Sequence, residues 1–126
     1  MREEGVIDVD DATNLAEFFQ VMVELLVSAK NAYGVVDLAG PDFVQIMALE
    51  DGSLRLESSA SEKIFAADLG FSETVTDHEH IAATHLPADW EAIEEIAAKT
   101  MTLVAIEVHG LQFPASLEFE LDLVDR

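Results

Sequence analysis

The chain of 126 residues predicts an α+β fold in one domain, a single antiparallel sheet with helices on one face. Three patterns carry that expectation. Residues 12–31 repeat apolar side chains at helical spacing. Residues 33–58 hold three short runs rich in branched and aromatic side chains, parted by turn signals. Residues 117–123 alternate strictly between large apolar and acidic side chains. The predicted order is α-β-β-β-α-α-β, a three-strand meander plus a C-terminal strand with three helices.

Residues 1–10 are polar and acidic and are expected to be flexible. The helix over 12–31 opens beside Asp10 and Asp11, whose charges suit its positive end, and holds Asn14 and Glu17 in the spacing of a capping box. At about 100° per residue, Leu15, Phe18, Phe19, Met22, Leu26 and Ala29 form one stripe. Val21, Leu25, Val23 and Val27 widen it on both sides, leaving Glu17, Gln20, Glu24 and Ser28 as a polar arc. A helix lying on one sheet needs an apolar face only about 100° wide. The excess predicts a second interface; long covering loops are the alternative.

Tyr33–Leu38 is the first strand, ending at Ala39-Gly40-Pro41. Phe43–Glu50 is the second, and Asp51-Gly52 is a two-residue hairpin signal. Ser53–Ser58 is the third, with Leu54 and Leu56 alternating with Arg55 and Glu57. The second strand carries Val44, Ile46 and Ala48 on one face and Phe43, Gln45, Met47 and Leu49 on the other. Both faces are mostly apolar, which predicts a central strand covered on both sides. One layer of helices covers one side, so something else must cover the other.

A short helix is expected at 61–69, capped by Gly70, and 72–86 reads as a polar loop. The third helix starts near Pro87 or Asp89 with Glu91 in its first turn. Trp90, Ile93, Ala97, Met101, Val104 and Val108 recur at helical spacing, and Gly110 and Pro114 mark the end. Trp90 is expected in the core. The branched residues of Thr100–Val108 also admit a strand. In the tail, Leu117, Phe119, Leu121 and Leu123 alternate with Glu118, Glu120 and Asp122, as in a half-buried strand with an acidic outer face.

Six basic residues face 26 acidic ones, a net charge of −20, while half the residues are hydrophobic. That hydrophobicity excludes a disordered chain. Arg2, Lys30, Arg55, Lys63, Lys99 and Arg126 are too scattered to neutralise a phosphate backbone, and an anionic bilayer would repel the surface. Nucleic acid and membrane are therefore not expected partners. The acidity favours basic partners or reflects adaptation to salt, and charge alone does not separate the two. Having no cysteine excludes disulfides, thiolate metal sites and thiol nucleophiles, and suits a reducing cytoplasm. The start Met1-Arg2-Glu3-Glu4-Gly5 is no secretory signal, and the apolar runs Phe18–Val27 and Met101–Val108 are too short to span a bilayer. A soluble cytoplasmic protein is expected.

Asp77-His78-Glu79-His80 with His85 is the best metal candidate by ligand type. Its spacing fits no ligand motif, and histidines at i and i+2 share a face only on a strand. A solvated loop is the expected outcome. Asp8, Asp10 and Asp11 fail as a calcium loop, because Thr13 falls where glycine belongs and Phe19 where the bidentate glutamate belongs. His109 reads as a favourable helix-end charge or cap, and Ser58, Ser59 and Ser61 as strand-end and cap residues. Neither a phosphate-binding glycine loop nor a Gly-x-Ser-x-Gly elbow is present. No catalytic residue, metal or cofactor is assigned.

Phe43-Val44-Gln45-Ile46, with Asp51-Gly52, Leu54 and Glu57-Ser58-Ser59, resembles the aromatic-Val-Gln-apolar … Glu-x-Ser-Ser hairpin of the YbjN-like and TY-Chap proteins. Leu69-Gly70-Phe71 resembles that family's Leu-Gly-aromatic element. Ala97-Ala98 through Gly110, Pro114 and Leu117 resembles its last helix and the Gly … Pro-x-x-Leu segment after it. The resemblance implies the fold of type III secretion chaperones, small acidic α+β dimers that hold segments of other proteins extended. The expected function is then a non-catalytic, chaperone-like binding module, homodimeric, holding an extended or amphipathic client. The alternative is an acidic immunity or antitoxin-like protein that inhibits a basic partner. Phe43, Gln45 and Met47, with Val23 and Val27, are the residues expected on the binding face.

Overall fold

The computed structural model describes residues 2–38 and 40–123. They form strand β1 (Arg2–Val9), helix α1 (Ala12–Ala29), strands β2 (Ala32–Asp37), β3 (Phe43–Ala48) and β4 (Leu54–Ser58), and helix α2 (Ser61–Ala67). Strands β5 (Glu73–Val75) and β6 (His78–Leu86), helix α3 (Ile93–Leu103) and strand β7 (Ala115–Asp122) complete them. The α+β fold is as expected. The described residues make one seven-stranded antiparallel sheet in the order β1-β7-β2-β3-β4-β6-β5, with β3 at its centre.

Two expectations fail here. Residues 2–9 are not frayed: β1 pairs with β7 in unbroken register from Arg2 opposite Asp122 to Val9 opposite Ala115. Nor is 72–86 a loop, since β5 and β6 form a hairpin and β6 pairs with β4 from Ser58 opposite Ala82 to Leu54 opposite Leu86. In both cases a distant strand supplies the hydrogen-bond partners that the polar local sequence does not advertise.

The cap of α1 sits one turn earlier than the capping-box spacing suggests. Asp11 is the N-cap and accepts from the Asn14 amide at 2.9 Å, while Asn14 Oδ1 accepts from the Asp10 amide at 3.1 Å. Leu15, Phe19, Met22 and Leu26 point down onto the sheet and are buried. Close approach is permitted at Gly34, where a Cβ would lie 2.8 Å from Met22 Sδ and 2.9 Å from Leu121 Cδ2. Val44, Ile46, Ala48, Leu54 and Leu56 complete the core from the middle strands.

Thr100–Val108 is helical, not a strand. It leaves α3 through a π-helical turn, Val104–Val108, that closes with the His109 amide donating to the Val104 carbonyl at 3.1 Å. Val104 and Ala105 stay buried. Trp90 is 47 % exposed in the turn before α3, so it is not a core residue.

Candidate functional site: the open face of the sheet

Alternation along each strand sends one set of side chains to the helices and the other to a face that no element of the described chain covers. Cross-strand register arranges this second set in rows. One row runs Asp122, Tyr33, Met47, Arg55, His85. The next runs Glu4, Glu120, Val35, Gln45, Glu57, Ala83. A third sets Asp37 opposite Phe43 on β2 and β3, and Val6 opposite Glu118 on β1 and β7. Tyr33, Val35, Phe43 and Met47 make a half-buried apolar strip along β2 and β3.

The two flanks of that strip differ in charge. On the β4 side, Arg55 Nε donates to Glu57 Oε2 at 2.9 Å and its Nη1 to Glu73 Oε1 at 2.8 Å. Hydrogen bonding to Glu57 is the main reason this guanidinium is held still more firmly in its charged form. On the β1 side Glu4, Asp37, Glu118, Glu120 and Asp122 have Arg2 among them, paired with Glu120 and, at 3.7 Å, with Glu4. Partial burial, followed by the charges of Asp122 and Glu120, pushes the Tyr33 phenol above its usual 10.0. A shallow depression of about 480 Å³ opens there, lined by Glu4, Val6, Val35, Asp37, Glu118 and Glu120. This surface can hold cationic groups beside apolar ones.

Of the residues expected on the binding face, Phe43, Gln45 and Met47 lie together on this open face. Val23 and Val27 do not join them, because α1 is on the other side of the sheet. Val23 is wholly buried and Val27 packs against the core. The stripe Ala16, Gln20, Val23, Val27 belongs to the flank of α1 that α3 covers, as the groove shared by Ala16, Gln20, Ile96 and Leu103 shows. The extra width of α1 on that flank is therefore satisfied within the chain. Glu4 and Val6 were missed as members of the face because β1 was not expected.

His109 is the C-cap of the π-helical turn, as one of its two expected roles had it, but it is not an exposed helix-end charge. Its side chain is 1 % exposed, with Nε2 2.8 Å from Ser58 Oγ and Nδ1 3.3 Å from Asp42 Oδ2, off the line of a good hydrogen bond. Ser59 Oγ accepts from the Phe43 amide at 3.0 Å and donates to Asp42 Oδ1 at 3.2 Å. The order Ser–His–Asp is that of a hydrolytic triad. Ser58 is wholly buried, however, so its Oγ offers a substrate no approach. What this cluster does is tie the end of α3 to the β3–β4 pair.

His78 and His80 lie on strand β6, exposed, with ring centroids 5.9 Å apart. His85 lies further along β6, across from Arg55 on β4. Among the described residues no group of three or more His, Cys, Asp or Glu side chains is placed to hold a metal ion. No described helix is long and apolar enough to cross a membrane.

Fold and face together define an α+β domain with a one-sided antiparallel sheet. No family model, curated protein or solved structure matches this chain.

Proposed function

We propose that this chain is a non-catalytic, chaperone-like protein-binding module of the cytoplasm, holding an extended or amphipathic client segment with basic residues against the open face of its sheet. The observation that carries the reading is the layout of that face: an apolar strip of Tyr33, Val35, Phe43 and Met47 beside a flank rich in unneutralised carboxylates. A net charge of −20 steers basic segments toward it over longer range. A second copy laid face to face here would oppose carboxylates with carboxylates, so the face suits a basic client, and a homodimer would use another surface. The resemblance to the YbjN-like proteins and the secretion chaperones points the same way.

Fluorescence anisotropy with labelled basic amphipathic peptides tests the reading. Binding should weaken with added salt, and Met47→Glu should weaken it about tenfold or more. Equal binding by Met47→Glu, or failure of every basic peptide to bind, defeats the proposal. A single folded basic protein captured in place of peptides would favour the inhibitor alternative.

A further inference from the structure

The two ends of the sheet are finished differently. At one end β5 is three residues long, with a register shift between Thr74 and Val75. Short, irregular edge strands of this kind discourage strand addition. At the other end β1 is eight residues long, regular throughout and free of proline. Among the described residues its outer row of backbone N–H and C=O groups has no neighbouring strand.

Above that free edge lies the flank of α1 that α3 does not cover. Val21 is 56 % and Leu25 is 44 % exposed. Between this flank and β1 runs a groove of about 470 Å³, whose lining includes Ile7, Val9, Asn14, Phe18 and Val21. No β7 residue lines the groove, so it opens past the sheet edge rather than into the sheet. Asp8, Asp10 and Glu17 complete its lining, so the groove is part apolar and part acidic. On the other side of the same edge, Glu4 and the 62 % exposed Val6 face outward next to Glu118 and Glu120.

An added strand would present alternate side chains to these two sides. One set would enter the groove against Ile7, Val9, Phe18 and Val21; the other would stand beside Glu4 and Asp8 on the open face. We propose that β1 is a strand-addition site, and that its occupant is an extended segment alternating apolar and basic residues, which joins as an eighth strand. Apolar side chains fill the groove under Val21 and Phe18, and basic ones pair with Glu4 and Asp8. Main-chain hydrogen bonds to β1 supply register, and the alternation supplies selectivity. This rests on the reading that the protein holds basic, partly apolar segments, and it names where and in what conformation.

The probe is a synthetic peptide as long as β1, alternating lysine with valine or isoleucine, titrated into the full chain. Two further versions carry backbone N-methyl groups, one on every lysine and one on every apolar residue. In a strand, amides of alternate residues point to the same edge, so one methylated peptide should lose binding and the other keep it. Val21→Glu, at an exposed position that should leave folding intact, should weaken the parent peptide about tenfold, and Glu4→Lys should weaken it less. Amide exchange along β1 should slow when the peptide is bound. If both methylated peptides bind alike, or if Met47→Glu abolishes binding while Val21→Glu leaves it unchanged, the edge proposal is overturned and the open-face reading stands. Failure of all such peptides to bind overturns both. A chain that instead pairs its β1 with a second copy and excludes the peptide also overturns it.

Discussion

The helix side and the open side of the sheet are built from alternate residues of the same strands, yet they obey different constraints. On β3 the helix side carries Val44, Ile46 and Ala48, all buried and uncharged. The open side carries Phe43, Gln45 and Met47, half-exposed, among ion-paired and free carboxylates. Removing a group from the first side leaves a cavity with nothing to fill it, whereas water can replace a group lost from the second. The first side therefore holds the fold, and the second is free to carry binding.

Truncation of phenylalanine shows the contrast most strongly. Phe19→Ala, on the buried side, should cost about 3–5 kcal/mol of unfolding free energy. Phe43→Ala should cost about 1 kcal/mol and reduce peptide affinity instead. Urea titration of both variants measures it, and equal losses would mean the open face is structural. Ser58→Ala strips His109 Nε2 of its partner inside the protein and should cost about 1–3 kcal/mol, read as a lower urea midpoint. A Ser58→Ala variant as stable as the parent would mean that this cluster does not tie α3 to the β3–β4 pair.

Gly34→Ala should be milder, about 1–2 kcal/mol, because the atoms it meets belong to the flexible Met22 and Leu121 side chains, which can give way. Its melting temperature should fall, while Val35→Ala, the next residue on the opposite face, should barely move it. The smallest effect concerns Asp51, in the turn between β3 and β4. Hydrogen bonds from the Ser53 hydroxyl and amide hold its carboxyl below the usual 3.8. Since the folded value is the lower one, its contribution is complete above 3.8 and fades as pH falls through the folded value. Asp51→Asn should therefore flatten the acid limb of the stability curve slightly and leave neutral pH almost unchanged, as a pH series of melting curves would show.

Local pattern alone determined much of this protein. The helical repeat of 12–31, the meander and the alternating tail appear close to where expected, because each element's buried stripe is written at its own period of 3.6 or 2. The turn between β3 and β4 differs in detail: Leu49 pairs with Ser53 around a three-residue loop in which Gly52 takes the positive φ, instead of a two-residue turn at Asp51-Gly52. The placing of Phe43, Gln45 and Met47 on one exposed face comes from the same alternation. Tertiary structure decided the rest. β1 is a strand because β7, more than a hundred residues away (Ser116 Oγ donates to Asp8 Oδ1), pairs with a segment whose own charges suggest a frayed end. β6 is a strand because β4 lies beside it. The wide apolar surface of α1 divides into a flank that α3 buries, with Val23 and Val27, and a flank left bare over the β1 edge. No window of neighbouring residues holds that division, since it depends on which distant element arrives to exclude water.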